Sequence, residues 1–437
     1  MKLFSRRRNR DNERGQIVLL LAVSLTLLLL FLAFAVDVGF AYATKAKLSK
    51  SVDAACLTAM RNLAQGQAKA GALAVNSFNG NYELSALDAN APSVNVSFST
   101  DAFGNTLVNV NATATIRTFF MRLLPQFQTF SVSDSAQATR GKLVMSLVLD
   151  RSGSMTGNGG SAALPPAVTT FINYFDNNDD EVAMVSFASN ATIDVPIGYN
   201  FITPITNAVN AMKSKFGGGT FGLGGLVDGK AQNESVIAQP GQNVVKVVVY
   251  FTDGYVNTIQ DTFSCTSKWG KTLYNYGGYD ADNCGYGGRP CVDFFDPSTG
   301  TDLANTDYQS GVDKNGNPGH QPTPDCTGVT ELTSAIDGTL KSFTRANVTA
   351  DAQYRALQTA TAMRTEGMVV YSIGLGNKVD QAFLRQIAND PASSTYNPNQ
   401  PVGEAVFAPN CPSNQCTSEL QQVFQTIAAK ILLRLTQ

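Results

Sequence analysis

About 20 residues, Ile17 to Val36, carry no charge, the length a helix needs to cross the hydrocarbon core of a bilayer. The interior polar groups of that run are Ser24 and Thr26, whose hydroxyls can bond back to the helix backbone. Lys2, Arg6, Arg7, Arg8, Arg10 and Arg14 precede it. The positive-inside rule keeps such a cluster cytoplasmic and places everything beyond Asp37 on the other side. The expected layout is a basic cytoplasmic tail over 1–15 and a transmembrane helix over 16–37. This single pass of the cytoplasmic (inner) membrane would leave the bulk of the chain periplasmic or extracellular. A cleaved signal peptide is the alternative, because Ala33-Phe34-Ala35 has the small residues of a cleavage site. The long apolar core, and a helical pattern that continues past that site, favour an uncleaved anchor.

Beyond the run, Leu48, Val52, Ala55, Cys56, Ala59 and Leu63 recur at helical spacing, so the anchor helix is expected to run on to about Leu63 with an amphipathic outer half. From about Ala72 to Arg140 the period changes to alternation. Val94 to Phe98, Val108 to Ala114 and Phe130 to Ala138 read as strands with one polar face. Residues 38–140 are therefore expected to form a long helix and a small antiparallel sheet, a small α+β region.

From Gly141 the pattern changes again. Leu143 to Leu149, Val182 to Phe187, Val244 to Phe251 and Met368 to Ile373 are near-continuous apolar runs, the mark of strands buried on both faces of a parallel sheet. Helical segments lie between them at Ala162 to Phe175, Ile202 to Lys215, Gly222 to Ala231 and Ala350 to Thr365, with Glu419 to Leu435 closing the chain. Alternating strands and helices predict a doubly wound, mostly parallel α/β fold over 141–437. Tyr255 to about Arg345 interrupts this rhythm as a Gly-, Asp-, Asn- and Tyr-rich insertion holding four cysteines.

Ligands of open α/β sheets bind outside the carboxyl ends of the strands. Asp150-Arg151-Ser152-Gly153-Ser154 follows the first α/β strand at once and can turn one carboxylate and two hydroxyls toward one point. Thr220 follows Gly217-Gly218-Gly219, and Asp253 ends the strand that contains Val244 to Phe251. Hard divalent cations want such oxygen donors. Taken singly, an Asp-x-Ser-x-Ser stretch is common as a capped turn. The joint placement of all five oxygens at strand ends of one unit points to a metal.

This combination resembles the von Willebrand factor type A (vWA) family and its metal-ion-dependent adhesion site. The resemblance covers Lys142 to the C-terminus apart from the insertion. It implies a Rossmann-like sheet and a divalent ion held by Asp150, Ser152, Ser154, Thr220 and Asp253. That ion would be Mg2+, with Mn2+ or Ca2+ as alternatives, and its open position would capture an acidic side chain of a protein partner. A second resemblance concerns Arg14-Gly15-Gln16, the apolar run, Val36-Asp37-Val38-Gly39, Tyr42 and Ala54-Ala55, which look like the N-terminus of TadG-like pilus-assembly proteins. The fifth residue after Gly15 is Leu20, not the Glu typical of pilins, which argues against prepilin cleavage. TadG-like proteins often join such an anchor to a vWA domain.

Of seven cysteines, Cys56 stands alone on the helix, while Cys265, Cys284, Cys291, Cys326, Cys411 and Cys416 fall in the later half. An even set in an oxidising compartment reads as disulfides of undetermined pairing; zinc is disfavoured by a single histidine and the absence of a CxxC spacing. Asp313 to Asn317 has oxygens at alternate positions but no Glu at the twelfth position of a calcium loop. His320 has no partner motif, Asp176 to Glu181 reads as a solvated acidic turn, and Tyr274, Tyr276, Tyr279 and Tyr286 serve equally as a recognition surface or as packing. No HExxH, Gly-x-Ser-x-Gly or Cys–His pairing accompanies the acidic site, so binding is expected and catalysis is not. A net charge of −2 leaves no whole-protein field for nucleic acid. The expected function is a membrane-anchored extracytoplasmic protein that binds a partner in Tad-type pilus assembly or surface adhesion. The alternative is a structural minor pilus or envelope component that uses the metal for subunit contacts.

Overall fold

The computed structural model describes residues 11–157, 159–266, 272–280, 331–342, 345–408 and 416–435. The chain divides into two compact units, one of 1–101 with 106–139 and one of 102–105 with 140–437.

In the first unit a single helix, α1, runs Asp11–Arg61. Its apolar half is exposed, with a mean hydropathy of 3.0 over its most apolar window. It is the one helix among the described residues long and apolar enough to cross a membrane. Ser24 Oγ donates to Leu21 O at 3.0 Å and Thr26 Oγ1 to Ala22 O at 2.8 Å, so neither hydroxyl is left unsatisfied in the apolar stretch. The outer half packs against a second helix, α2 (Gln67–Asn81), and a sheet ordered β1 (Ser93–Thr100), β2 (Thr106–Arg117), β3 (Thr129–Arg140). Val108, Val110, Ala112 and Ala114 alternate into a core with Leu48, Val52, Ala55, Cys56 and Ala59 of α1. Alternation was expected from about Ala72, but α2 occupies that stretch. Its buried stripe is only Ala70, Ala74 and Phe78, one residue per turn, too narrow and small to show as an amphipathic pattern.

The second unit contains β4 (Lys142–Asp150), a short helix α3 (Ser154–Gly157), α4 (Gly160–Ile172), β5 (Glu181–Phe187) and β6 (Ala191–Val195). It continues with α5 (Ile202–Ala211), α6 (Gly222–Ser235) and β7 (Val244–Thr252). The insertion contributes the hairpins β8 (Thr258–Thr266)–β9 (Thr272–Asp280) and β10 (Glu331–Thr333)–β11 (Leu340–Ser342). Then come α7 (Arg345–Thr365), β12 (Val369–Leu375), α8 (Gln381–Ala388), β13 (Ala405–Ala408) and α9 (Cys416–Arg434).

The main sheet is ordered β13-β12-β7-β4-β5-β6, parallel except for β6, which runs antiparallel to β5. It is the mostly parallel, doubly wound sheet that the apolar runs predict. On one face α4, α5 and α9 cover Leu143, Met145, Leu147 and Leu149; on the other, α6, α7 and α8 cover Val148, Val248, Tyr250 and Val370. Helix α6 lies unusually close to the sheet. A Cβ at Gly225 would come within 2.6 Å of Phe187 and 2.7 Å of Val148, so only glycine permits that approach. A bidentate ion pair, Arg140 to Asp180 at 2.9 and 2.6 Å, is almost wholly buried beneath β4. Asp180 also accepts from the backbone N–H of Leu143 and Asp176, which tie the start of β4 to the turn before β5. The acidic run from Asp176 is thus anchored through a buried member.

Cys284, Cys291, Cys326 and Cys411, the Asp313 to Asn317 stretch, His320 and Tyr286 lie outside the described residues, as do the basic residues before Asp11. Cys265 lies on β8, with Tyr274, Tyr276 and Tyr279 on β9. Cys416 opens α9 and is buried.

Candidate functional site: an oxygen cluster at the strand ends

Parallel neighbours end together, and the ends of β4 and β7 bring Asp150 and Asp253 side by side. In the ladder Leu149 pairs with Phe251, so the residue that ends β4 and the turn after β7 project from adjacent strands in the middle of the sheet. Both aspartates are fully buried. The Asp150 carboxylate accepts from the backbone N–H of Ser152 at 2.7 Å and from the Thr252 hydroxyl at 2.6 Å. Ser154 Oγ donates to Asp253 Oδ1 at 2.6 Å and lies 3.0 Å from Ser152 Oγ. Four of the five predicted oxygens therefore belong to one connected cluster.

The loop that carries Thr220 is tied to the Asp-x-Ser-x-Ser loop through backbone bonds. Gly217 N–H donates to Arg151 O at 3.0 Å and Gly153 N–H to Gly218 O at 3.1 Å, which ties the glycine bend to the Asp-x-Ser-x-Ser loop. Gly218 has φ +83°, and a Cβ there would meet Ser189 Oγ at 2.5 Å, so glycine is required on both counts. Thr220 is itself buried, its N–H bonded to Asn257 Oδ1 at 2.7 Å and Thr258 Oγ1 at 3.0 Å. The insertion thus grips the Thr220 loop through its first residues after β7.

The electrostatics are lopsided. Burial, and next the nearby Asp253 carboxylate, push Asp150 up to about 7 against the weaker pull of its hydrogen bonds. Among the described residues no cation is a hydrogen-bond partner of Asp150. Arg151, next in sequence, turns away: Nε donates to Ser186 Oγ at 3.2 Å and a terminal nitrogen to Asn190 Oδ1 at 2.8 Å. Two buried acids with the buried Ser152 hydroxyl and the partly buried Ser154 hydroxyl fit a hard cation by donor type and by charge. Among the described residues no group of three or more His, Cys, Asp or Glu could hold a metal. A cation here would therefore rest on hydroxyls as much as on carboxylates.

Several residues of this neighbourhood carry no metal motif of their own. Thr252 and Asn257 act through hydrogen bonds to Asp150 and Thr220, and polar residues at strand ends and in loops are too common to single out. Tyr250, fully buried on β7, stacks on Phe187 at 5.4 Å, and its hydroxyl has no hydrogen-bond partner among the described residues. A separate cleft of 510 Å³ is lined by Tyr371, Asp390, Glu404, Lys430 and Arg434. Its cations are already engaged, Lys430 by Glu404 and Arg434 by Tyr371 and Val402 O.

Comparison with known proteins adds two family matches. Residues 15–62 match the family described as putative Flp pilus-assembly TadE/G-like, and residues 145–283 match the von Willebrand factor type A domain. No curated protein matches the chain. Among solved structures, the pilus adhesin SpaC from Lactobacillus rhamnosus GG is similar at 14% identity with a TM-score of 0.41, over 79% of this chain and 35% of that one. The PilB minor pilin from Streptococcus sanguinis is similar at 15% identity and TM-score 0.37, over 79% of each chain. Proximal thread matrix protein 1 from the mussel byssus, with a zinc-occupied MIDAS motif, is similar at 16% identity and TM-score 0.33, over 67% of this chain and 46% of that one. The chain thus spans about a third of the length of the SpaC structure.

Proposed function

We propose that this chain, which carries a TadE/G-like region and a von Willebrand factor type A domain, is a membrane-anchored binding protein whose Asp150, Ser152, Ser154, Thr220 and Asp253 hold a divalent cation for capture of a protein partner. The observation that carries this reading is the pair of fully buried carboxylates linked through Ser152 and Ser154. Burying two like charges together is costly unless a cation compensates them. A bound Mg2+, or Mn2+ or Ca2+ in its place, would supply that compensation and would attract an acidic side chain of the partner.

The protein's own residues do the preparatory work. Thr252 and the Ser152 N–H orient the Asp150 carboxylate, Ser154 sets Asp253, and the Gly217-Gly218-Gly219 bend delivers Thr220. The insertion begins at the same strand end and bonds to the Thr220 loop, so its residues border the place where a partner would approach. Its cysteines, Cys265, Cys284, Cys291 and Cys326, together with Cys411 and Cys416, are proposed to form disulfides that stiffen this side of the domain. The anchor and the TadE/G-like match favour a role in Tad-type pilus assembly or in adhesion at the cell surface, with binding rather than catalysis as the activity.

The test is a pull-down from envelope extracts with the full-length protein in detergent, with and without chelator. The expected result is a partner that is lost in chelator, restored by Mg2+, and not retained by Asp150→Ala. Capture that is insensitive to chelator and unchanged in Asp150→Ala would refute the reading.

A further inference from the structure

Asp37 stands one residue beyond the uncharged run, in the middle of α1, and only 2% of its surface is exposed. Its carboxylate accepts from the backbone N–H of Phe119 at 2.7 Å, of Phe120 at 3.0 and 3.3 Å, and of Met121 at 2.7 Å. The loop between β2 and β3 is closed at its base by Thr118, whose N–H and hydroxyl bond to Gln128 O and whose hydroxyl also bonds to Phe127 O. It is therefore a compact loop built on two 3-10 turns, held at a fixed level against α1.

That loop displays Phe119, Phe120, Leu123, Leu124 and Phe127 to the outside, with Leu123 84% exposed. Five large apolar side chains within nine residues make a patch that soluble surfaces rarely leave bare. Arg122 is exposed among them, its guanidinium 5.7 Å from the Phe119 ring, and Arg117 is exposed at the end of β2. On the adjoining turn of α1, Phe40 and Tyr42 are also exposed.

We infer that the 118–128 loop is a second membrane contact, its apolar side chains entering the interfacial layer of the bilayer beside the point where α1 emerges. This rests on the reading of 16–37 as a membrane-spanning helix. If the run from Ile17 to Val36 fills the hydrocarbon, about 30 Å at 1.5 Å per residue, Asp37 marks the boundary of the apolar layer. The three amides on its carboxylate place the loop at that same level. Aromatic and leucine side chains with arginines interspersed suit a depth where acyl chains meet headgroups, and the arginines suit anionic lipid. Together the helix and the loop would fix the rotation and tilt of this unit, which one helix alone leaves free.

Tryptophan quenching in vesicles tests this on the full-length protein. In a Trp269→Phe background, single tryptophans at Leu123→Trp, Phe120→Trp, Leu28→Trp and Gln67→Trp are compared in phosphatidylcholine–phosphatidylglycerol vesicles. The bilayers carry bromine either near the headgroup end or near the methyl end of the acyl chains. Gln67 lies beyond the outer end of α1, about 36 Å or more along the helix from Asp37, and reports solvent. The expected result is an emission drop of about twofold at Leu123→Trp and Phe120→Trp, stronger with headgroup-end bromine, with Leu28→Trp quenched most by methyl-end bromine. Loop tryptophans as insensitive as Gln67→Trp, while Leu28→Trp is quenched, would overturn the loop contact and leave the anchor standing. An unquenched Leu28→Trp would overturn the anchor and the loop contact together. Loop emission that is blue-shifted, unquenched and dependent on protein-to-lipid ratio would assign the patch to a second copy and overturn the proposal.

Discussion

Replacing Asp150 by Asn separates the charge of the cluster from its shape. The fold prefers the protonated acid, because Asp150 rises from an ordinary 3.8 to about 7 on burial beside Asp253. For a raised folded-state value the stabilising contribution is complete below about pH 4 and is lost as pH climbs through about 7. Three units at 1.36 kcal/mol each set an upper limit on the order of 4 kcal/mol. In a domain of this size that corresponds to a melting shift on the order of 10 °C. Asparagine can keep the geometry. Its carbonyl takes the Ser152 N–H, and Thr252 Oγ1 can accept from the amide while turning its own proton to Gly254 O, 3.3 Å away. Thermal unfolding of full-length protein in detergent and chelator, between pH 4 and pH 8, is the assay. The wild type is expected to lose stability across that window relative to Asp150→Asn, whose cluster lacks this titration. Excess Mg2+ should restore the wild type at high pH, since cation binding to the folded state alone stabilises it and releases a proton, and should do little for the variant. Identical pH profiles for the two proteins in chelator, or equal rescue by Mg2+, would refute the reasoning.

Arg140→Ala is expected to cost about 3–5 kcal/mol, because it leaves the buried Asp180 without its bidentate partner; urea unfolding measures it, and a loss below about 1 kcal/mol would contradict the buried pairing. Tyr250→Phe removes a buried hydroxyl without a hydrogen-bond partner among the described residues, so stability should hold or rise slightly, and a loss above about 1 kcal/mol would reveal a partner for that hydroxyl. Gly225→Ala should destabilise by about 1–3 kcal/mol through overpacking against Val148 and Phe187, readable as a lower melting temperature; a neutral result would show that α6 can retreat from the sheet.

The parts of the fold that were legible in the residues are those whose burial is extreme. Strands β4, β5, β7 and β12 are covered on both faces and so read as apolar runs interrupted only by single residues such as Ser146, Ser186, Lys246 and Ser372. The exposed membrane-type half of α1 is equally uniform. Elements with half-measures were harder. Edge strands β6 and β13 are four or five residues long and mostly only partly buried, and α8 has room for barely two turns. Helix α2 hides because alanines can bury a stripe without looking hydrophobic. At the cluster, the five oxygens stood out because a carboxylate and hydroxyls at alternate positions, a glycine bend and a Thr-Asp-Gly turn fall at strand ends together. The residues that orient them, Thr252 and Asn257, act across strands and loops, and chain spacing does not encode that distance. Asp37 shows the same limit: its place marks the end of the apolar run, while its hold on the amides of Phe119 to Met121 spans more than eighty positions and emerges only from the fold.

Paramagnetic resonance of Mn2+ titrated into the full-length protein, beside Asp150→Ala and Asp253→Ala, addresses the proposed cation site directly. Loss of the free-ion signal for one equivalent by the wild type, absent in both variants, is the predicted outcome. An undiminished signal with the wild type, or equal uptake by the variants, would contradict a cation held between those two buried carboxylates.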